Sequence, residues 1–212
     1  MNGNYQKVKS IILRLGLEES LNEKIIVVGG TVPYLISKKE SDREHSDIDI
    51  IVEKDEMIFI RKYLEREQLQ TIDSLKFSYN KSHIDYGVDA AIDGITVNFA
   101  PYELTENEII QRNFLTKQAC GIEALATVTM RGINTNNIFT KVDVEGIQIS
   151  TYNLEMIKVM KEKSKKKKDK VDIQVIEDFG YDKTLYNHLK EELKDMEFKI
   201  EPQNKLLKLF IR

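Results

Sequence analysis

The 212-residue chain is poor in several residue types, and each shortage excludes a class of protein. The single cysteine, Cys120, excludes an internal disulfide bond, as expected for a protein of the reducing cytoplasm. Its apolar neighbours indicate that it packs rather than acts as a nucleophile. Only 3 prolines, beside 41% hydrophobic and 32% charged residues, indicate a globular chain without long disordered linkers. Aromatic residues make up 8%, and none interleave with basic residues as in a single-strand nucleic-acid platform.

The chain also lacks a strong net charge and long apolar runs. A net charge of −3 gives no general reason to expect a nucleic-acid partner. No apolar run approaches the length that spans a bilayer, and the polar residues 1–5 do not resemble a signal peptide. We therefore expect a cytoplasmic protein that binds no membrane.

Hydrophobic periodicity and turn signals predict an α/β (α+β) fold in two parts. Residues 1–116 are expected to form a core domain, and residues 117–212 a mainly helical part that completes a cleft. Helices are predicted over residues 5–21, 31–37, 55–68, 105–115, 153–163, 170–178, 183–196 and 202–210. Strands are predicted over residues 24–28, 47–53, 75–80, 87–92, 95–101, 124–130, 137–144 and 147–150. Asp93-Gly94 and Glu145-Gly146 are signals of two-residue hairpin turns.

The most informative pattern joins a diglycine to two carboxylates. A buried strand runs into Gly29-Gly30, and the next strand carries Asp47 and Asp49 two positions apart. Alternate residues of a strand share a face, so both carboxylates point one way while Ile48 points into the core. Two neighbouring carboxylates repel each other unless a cation lies between them, and oxygen ligands favour Mg²⁺ bridging to substrate phosphates. The pattern predicts phosphate chemistry.

A third polar group is expected from the hairpin around Asp93-Gly94. Metal-dependent phosphoryl or nucleotidyl transfer usually uses a third carboxylate, which completes the metal shell or takes a proton from the attacking group. Pairing counted outward from the turn sets Asp89 directly opposite Asn98 on one face of the hairpin. The hairpin can therefore offer a carboxylate and an amide side by side.

These motifs resemble the DNA-polymerase-beta-like nucleotidyltransferase superfamily, and within it the aminoglycoside and lincosamide nucleotidyltransferases. Residues 43–50, which contain the Asp-x-Asp pair, are similar to the acidic motif of those enzymes. Further on, four residues look like the lysine and Lys-Asp-x-x-Asp helical motif of the same group: Lys161, Lys168, Asp169 and Asp172. The resemblance covers residues 25–100 and 145–176.

The resemblance implies a mixed β-sheet flanked by helices, and transfer of a nucleoside monophosphate from an NTP to an acceptor hydroxyl. It implies that Mg²⁺ is held by Asp47 and Asp49. It also implies that the nucleotide phosphates are bound by Gly29, Gly30, Thr31 and Lys161. For Lys161, a salt bridge to Asp169 or Asp172 is the plainer alternative.

One position departs from the family pattern. Asn98 stands where the family has its third carboxylate, and an amide cannot accept a proton at neutral pH. Asp89 could replace that carboxylate, a base could be unnecessary, or the protein could lack transfer activity. Asp89 and Asn98 therefore join the candidate catalytic residues. Two other functions stay open: an inactive nucleotidyltransferase-like module that binds a nucleotide or a partner, and a toxin-type transferase acting on RNA or protein. The lysine-rich stretch (residues 161–170) is the feature that supports a toxin-type transferase, and it is also the feature that would support a nucleic-acid partner.

Overall fold

The computed structural model describes residues 4–76, 83–105, 108–117, 121–164 and 166–202. The helices are α1 (Tyr5–Leu17), α2 (Val32–Ser37), α3 (Met57–Arg66), α4 (Leu154–Ser164), α5 (Lys167–Phe179) and α6 (Lys183–Glu192). The strands are β1 (Ile25–Val28), β2 (Asp47–Glu53), β3 (Thr71–Asp73), β4 (Val88–Ile92), β5 (Ile95–Leu104), β6 (Glu108–Lys117), β7 (Gly121–Arg131), β8 (Phe139–Val144), β9 (Ile147–Tyr152) and β10 (Glu197–Pro202). The predicted α/β class is confirmed. No helix in these ranges has the length and apolar character to cross a membrane.

The ten strands of the described residues belong to one mixed sheet. Its strand order is β10-β7-β6-β5-β2-β1-β9-β8, and β4 joins it through β5 with β3 at its outer side. Strand β1 is antiparallel to β2 and parallel to β9, while β2 is parallel to β5. Because β9 pairs with β1, strands from both halves of the chain build one continuous sheet around the central strands.

The central strands are where the hydrophobic pattern decides the structure. Every residue of β1 is buried, as expected for a strand covered on both faces. In β2 the side chains alternate: Ile48 and Ile50 are fully buried, and Asp47 and Asp49 are half-buried on the opposite face. The predicted bounds of β2 and the predicted facing of its carboxylates are confirmed.

Both predicted hairpin turns are present. Asp93 and Gly94 have φ angles of 49° and 75°, and Glu145 and Gly146 have φ angles of 53° and 87°. Positive φ at both central residues is the backbone that suits the right-handed twist of a tight hairpin. The first turn sets the β4–β5 register on which the candidate site depends.

The helix predicted over residues 105–115 is wrong, because residues 108–115 belong to strand β6. Its polar residues and the apolar residues Ile109, Ile110 and Phe114 fit a helical pattern and a strand equally well. Pairing decides between them: β6 is hydrogen-bonded to both β5 and β7, so tertiary contacts override the local preference.

Smaller differences concern element ends. Helix α1 stops at Leu17, four residues before the predicted end. Residues 74–76 form a 3₁₀ turn where a strand over 75–80 was expected, and β10 was not predicted. Outside the described residues lie Cys120, Lys165 and residues 77–80 of the predicted strand. Of the helix predicted over 202–210, only Pro202 is described, and it belongs to strand β10.

Candidate active site

The glycine turn after β1 lies directly against the second carboxylate of β2. Val28 is the register partner of Asp49, so the turn begins beside this residue. Gly29 has φ +76°, and a Cβ placed on it would lie 2.4 Å from Asp49 Oδ2. Only glycine accommodates both the backbone and the approach of the carboxylate at this position. The sequence pattern of diglycine and Asp-x-Asp is therefore one contiguous site.

A row of polar side chains continues from Asp49 across two neighbouring strands. Asp49 is the register partner of Asn98 on β5, and Asn98 is the register partner of Asp89 on β4. Asn98 Nδ2 donates a hydrogen bond to Asp89 Oδ1 at 2.5 Å, and both side chains are buried. The predicted pairing of Asp89 with Asn98 is confirmed.

The orientation of the Asn98 amide is fixed by a residue that sequence reasoning missed. Asn98 Nδ2 also donates to Asn113 Oδ1 at 3.0 Å, and the same oxygen accepts a hydrogen bond from the Phe114 backbone N–H at 2.7 Å. Both acceptors that face Nδ2 are therefore oxygens, and a flipped amide would place oxygen against oxygen. Asn113 lies on β6, so the mistaken helix prediction for this stretch removed it from consideration.

The carboxylates of the site influence one another. Burial, and then the charge of Asp47, raise the pKa of Asp49 to about 6, against the opposing charges of Lys168, Lys161 and Lys166. Burial also raises the pKa of Asp89 to about 6. The hydrogen bond from Asn98 works in the opposite direction, while the charges of Asp49 and Asp47 add to the increase. Negative charge is thus concentrated without full compensation, which is the electrostatic setting of a cation site.

The donor set fits a hard divalent cation. Asp47 and Asp49 supply carboxylate oxygens on one face of β2, where a cation would relieve their repulsion. Within the described ranges, no group of three or more His, Cys, Asp or Glu side chains could ligate a metal by itself. Two carboxylates are a donor set that can hold Mg²⁺ together with substrate phosphates.

A buried ion network connects the glycine turn to the C-terminal helices. Arg43 donates to both carboxylate oxygens of Asp172, at 2.9 and 3.1 Å, and to the Gly30 carbonyl oxygen at 3.2 Å. A Cβ on Gly30 would lie 2.2 Å from Arg43 Nη2, so the second glycine makes room for this arginine. Tyr34 adds a hydrogen bond from its hydroxyl to Asp172 Oδ1 at 3.0 Å.

Lys161 belongs to the same network. Its Nζ lies 2.6 Å from Asp172 Oδ2 and 3.1 Å from Asp169 Oδ1, so the plainer of the two expectations for this residue is realised. The side chain is largely buried between α4 and α5. Lys166 and Lys168, to which sequence reasoning assigned no role at the carboxylate pair, both lower the pKa of Asp49 through their charge. Part of the lysine-rich stretch therefore lies near enough to act on this carboxylate.

Thr31 and the segment before β2 complete the frame. Thr31 is 2% exposed, so contact between this residue and a ligand would fall to its backbone. Before β2, the Asn4 side chain pairs with the backbone of His45 through two hydrogen bonds, at 2.7 and 2.8 Å. His45 is buried, and burial, followed by the charge of Arg43, lowers its pKa to about 4. It is therefore a neutral packing residue that fixes the entry to β2.

The fold is similar to those of solved nucleotidyltransferases. The lincomycin-bound crystal structure of the lincosamide antibiotic adenylyltransferase LnuA aligns with a TM-score of 0.56 and 15% sequence identity, covering 85% of this chain and 100% of that chain. The solution structure of the antibiotic-resistance factor ANT(2'')-Ia aligns with a TM-score of 0.56 and 14% identity, covering 92% and 93% of the two chains. Its crystal structure in complex with adenylyl-2''-tobramycin gives 0.53 and 13%, covering 88% and 98%.

These alignments confirm the expected likeness in fold to lincosamide and aminoglycoside nucleotidyltransferases. At such low sequence identity the likeness concerns the fold. No protein-family model matches the chain, and no curated protein matches it in sequence.

Proposed function

We propose that this protein transfers a nucleoside monophosphate from an NTP to an acceptor hydroxyl and releases pyrophosphate. The observation that carries the proposal is the contact between the glycine turn and the carboxylate pair. Gly29 leaves no room for a side chain beside Asp49, and Asp47 faces the same side of β2. A turn without side chains beside two carboxylates is a place where a triphosphate and its cation fit together.

The residues predicted to bind the metal and the phosphates receive roles in this proposal. Asp47 and Asp49 would hold Mg²⁺, which when bound neutralises charge that develops on the phosphate oxygens. Gly29, Gly30 and the backbone of Thr31 would bind the phosphates. Lys161 stabilises the position of Asp172 and, with Lys166 and Lys168, adds positive charge on the side of Asp49.

The structural neighbours suggest which substrates to try first. LnuA is an adenylyltransferase solved with lincomycin, and ANT(2'')-Ia was solved with adenylyl-2''-tobramycin. ATP is therefore the first donor to test, and hydroxyl-bearing small molecules are the first acceptors. One fold serves many acceptors, so the acceptor has to be identified by experiment.

A transfer assay tests the proposal. The protein is incubated with Mg²⁺ and ATP labelled at the α-phosphate or at the γ-phosphate, with a small-molecule extract, RNA or protein as acceptor. We expect α-label to enter the acceptor fraction and γ-label to leave as pyrophosphate. The variant Asp47→Asn/Asp49→Asn should lose transfer by at least about 100-fold, since two metal ligands are lost.

The matched control is Asp42→Asn/Asp55→Asn, which removes two carboxylates that are exposed and lie outside the site. It should transfer as the wild type does. Label in RNA or protein would identify a toxin-type acceptor, and nucleotide binding without transfer would favour the inactive module. Transfer of γ-label to the acceptor, or full activity in the Asp47→Asn/Asp49→Asn variant, would contradict the proposal.

A further inference from the structure

We propose that Asp89 on β4 accepts the proton of the acceptor hydroxyl, and that Asn98 and Asn113 are positioning residues that hold it in place. This assignment rests on the proposed function and adds the identity of the base. It moves the base from β5, where the resemblance places the third carboxylate, to the neighbouring strand of the same hairpin.

The register supports the move. Asn98 is paired with Asp49 on one side and with Asp89 on the other, so the three residues form a single row across β2, β5 and β4. Residues at paired positions of neighbouring strands project from the same face of a sheet. The carboxylate of Asp89 on β4 therefore lies on the same face of the sheet as Asp47 and Asp49. It is one strand beyond β5, where the resemblance places the third carboxylate.

Asn98 itself is unsuited to proton transfer but suited to positioning. An amide accepts no proton at neutral pH. Both of its amide hydrogens are used, one by Asp89 and one by Asn113. The Phe114 N–H donates to Asn113 Oδ1 and so fixes which end of the Asn113 amide faces Asn98. The row of hydrogen bonds from β6 through β5 to β4 therefore has one direction and holds Asp89 in one orientation.

The surroundings of Asp89 suit a general base. Its side chain is 8% exposed, and burial raises its pKa to about 6, against the Asn98 hydrogen bond and with the charges of Asp49 and Asp47. A general base works best when its pKa lies near the operating pH.

The acceptor O–H bond breaks as its proton passes to an Asp89 carboxylate oxygen, and the acceptor oxygen forms a bond to the α-phosphorus. The bond between the α-phosphorus and the bridging oxygen breaks, and its electron pair leaves with pyrophosphate. Asp89 then returns its proton to water.

Relocation of the carboxylate provides the main test. In Asp89→Asn the side chain keeps its shape and can still accept the Asn98 hydrogen bond, but it cannot accept a proton. We expect kcat to fall at least about 100-fold, within the range for loss of a general base. The double variant Asp89→Asn/Asn98→Asp returns a carboxylate to β5, and we expect kcat to recover at least about ten-fold. Recovery should be partial because the new carboxylate faces Asn113 Oδ1.

Two readouts separate catalysis from folding and binding. The Kd for ATP with Mn²⁺ should stay within about three-fold of the wild type in Asp89→Asn, because the metal pair is intact. In Asn98→Ala the acid limb of kcat should move to higher pH, because the lost hydrogen bond lowers the pKa of Asp89 in the wild type.

Asn113→Ala should lower kcat about ten-fold with little change in KM for the nucleotide. Gln111→Ala, two residues away on the same face of β6, is its control.

The outcomes are distinct. Wild-type transfer with full activity in Asp89→Asn would overturn the assignment and leave the proposed function intact. A double variant no more active than Asp89→Asn, or no shift of the acid limb in Asn98→Ala, would also contradict it. No transfer by the wild type to any acceptor would overturn the proposed function and this assignment together.

Discussion

At the scale of single residues, the buried carboxylates of Asp49 and Asp89 lower the stability of the folded protein while they serve the proposed site. Each carboxyl has its pKa raised by burial from 3.8 to about 6, so the folded protein binds these protons more tightly than the unfolded chain does. Between pH 3.8 and about pH 6 the folded state binds more protons than the unfolded state, and the free energy of unfolding therefore falls as the pH rises. A bound cation would reverse this penalty, which explains why such groups occur at ligand sites.

The substitution Asp49→Asn should therefore stabilise the metal-free protein. We expect its free energy of unfolding at pH 7.5 to exceed that of the wild type by about 3 kcal/mol, since the pKa rises from 3.8 to about 6 and one pKa unit corresponds to about 1.4 kcal/mol. Near pH 4 most of this advantage should vanish, because the carboxyl of the wild type is then protonated when folded and already about 40% protonated when unfolded. Urea unfolding in the presence of EDTA at both pH values measures this difference.

Asp42→Asn removes an exposed carboxylate and serves as the control, with no such pH-dependent gain. A variant at position 49 that is less stable than the wild type at pH 7.5 would show that this carboxylate is already paired.

At the scale of elements, the glycine turn after β1 and the β8–β9 hairpin turn both contain a glycine with positive φ, but of these two glycines only Gly29 lies against a carboxylate of the candidate site. Gly29→Ala combines an unfavourable backbone at φ +76° with a Cβ 2.4 Å from Asp49 Oδ2. We expect about 1 kcal/mol of lost stability from the backbone alone, and at least a ten-fold weaker Kd for Mn²⁺ with a non-hydrolysable ATP analogue. Calorimetric titration and urea unfolding measure the two effects.

Gly146→Ala is the matched control, because it has φ +87° and no atom within 4 Å of the added Cβ. It should lose a similar amount of stability and bind the nucleotide as the wild type does. Equal binding in the two alanine variants would exclude the contact between Gly29 and Asp49 as part of the site.

The same elements show what the sequence could predict. Strand β2 follows from alternation of carboxylate and isoleucine, and the pairing of Asp89 with Asn98 follows from counting outward from Asp93-Gly94. These signals are local. Asn113 could not be found in this way, because β6 has a strand conformation only through its pairing with β5 and β7. The bidentate pairing of Arg43 with Asp172 joins positions 129 residues apart, which no local pattern encodes.

At the scale of the whole molecule, one sheet carries the site and links both halves of the chain. Strand β1 delivers the glycine turn and also pairs with β9, which leads into α4 and the Lys161 network. The carboxylate pair Asp47 and Asp49, the proposed base and the cations of α4 and α5 are therefore positioned by one framework. The fold of that framework is similar to those of LnuA and ANT(2'')-Ia.

The most direct test of this account is a crystal structure of the protein with Mn²⁺ and a non-hydrolysable ATP analogue. Anomalous scattering identifies the ion without assumptions about its ligands. We predict an anomalous peak about 2.1 Å from carboxylate oxygens of both Asp47 and Asp49, with the triphosphate against the Gly29 turn. A nucleotide bound with its metal ion held by other residues, or bound away from the glycine turn, would contradict the account.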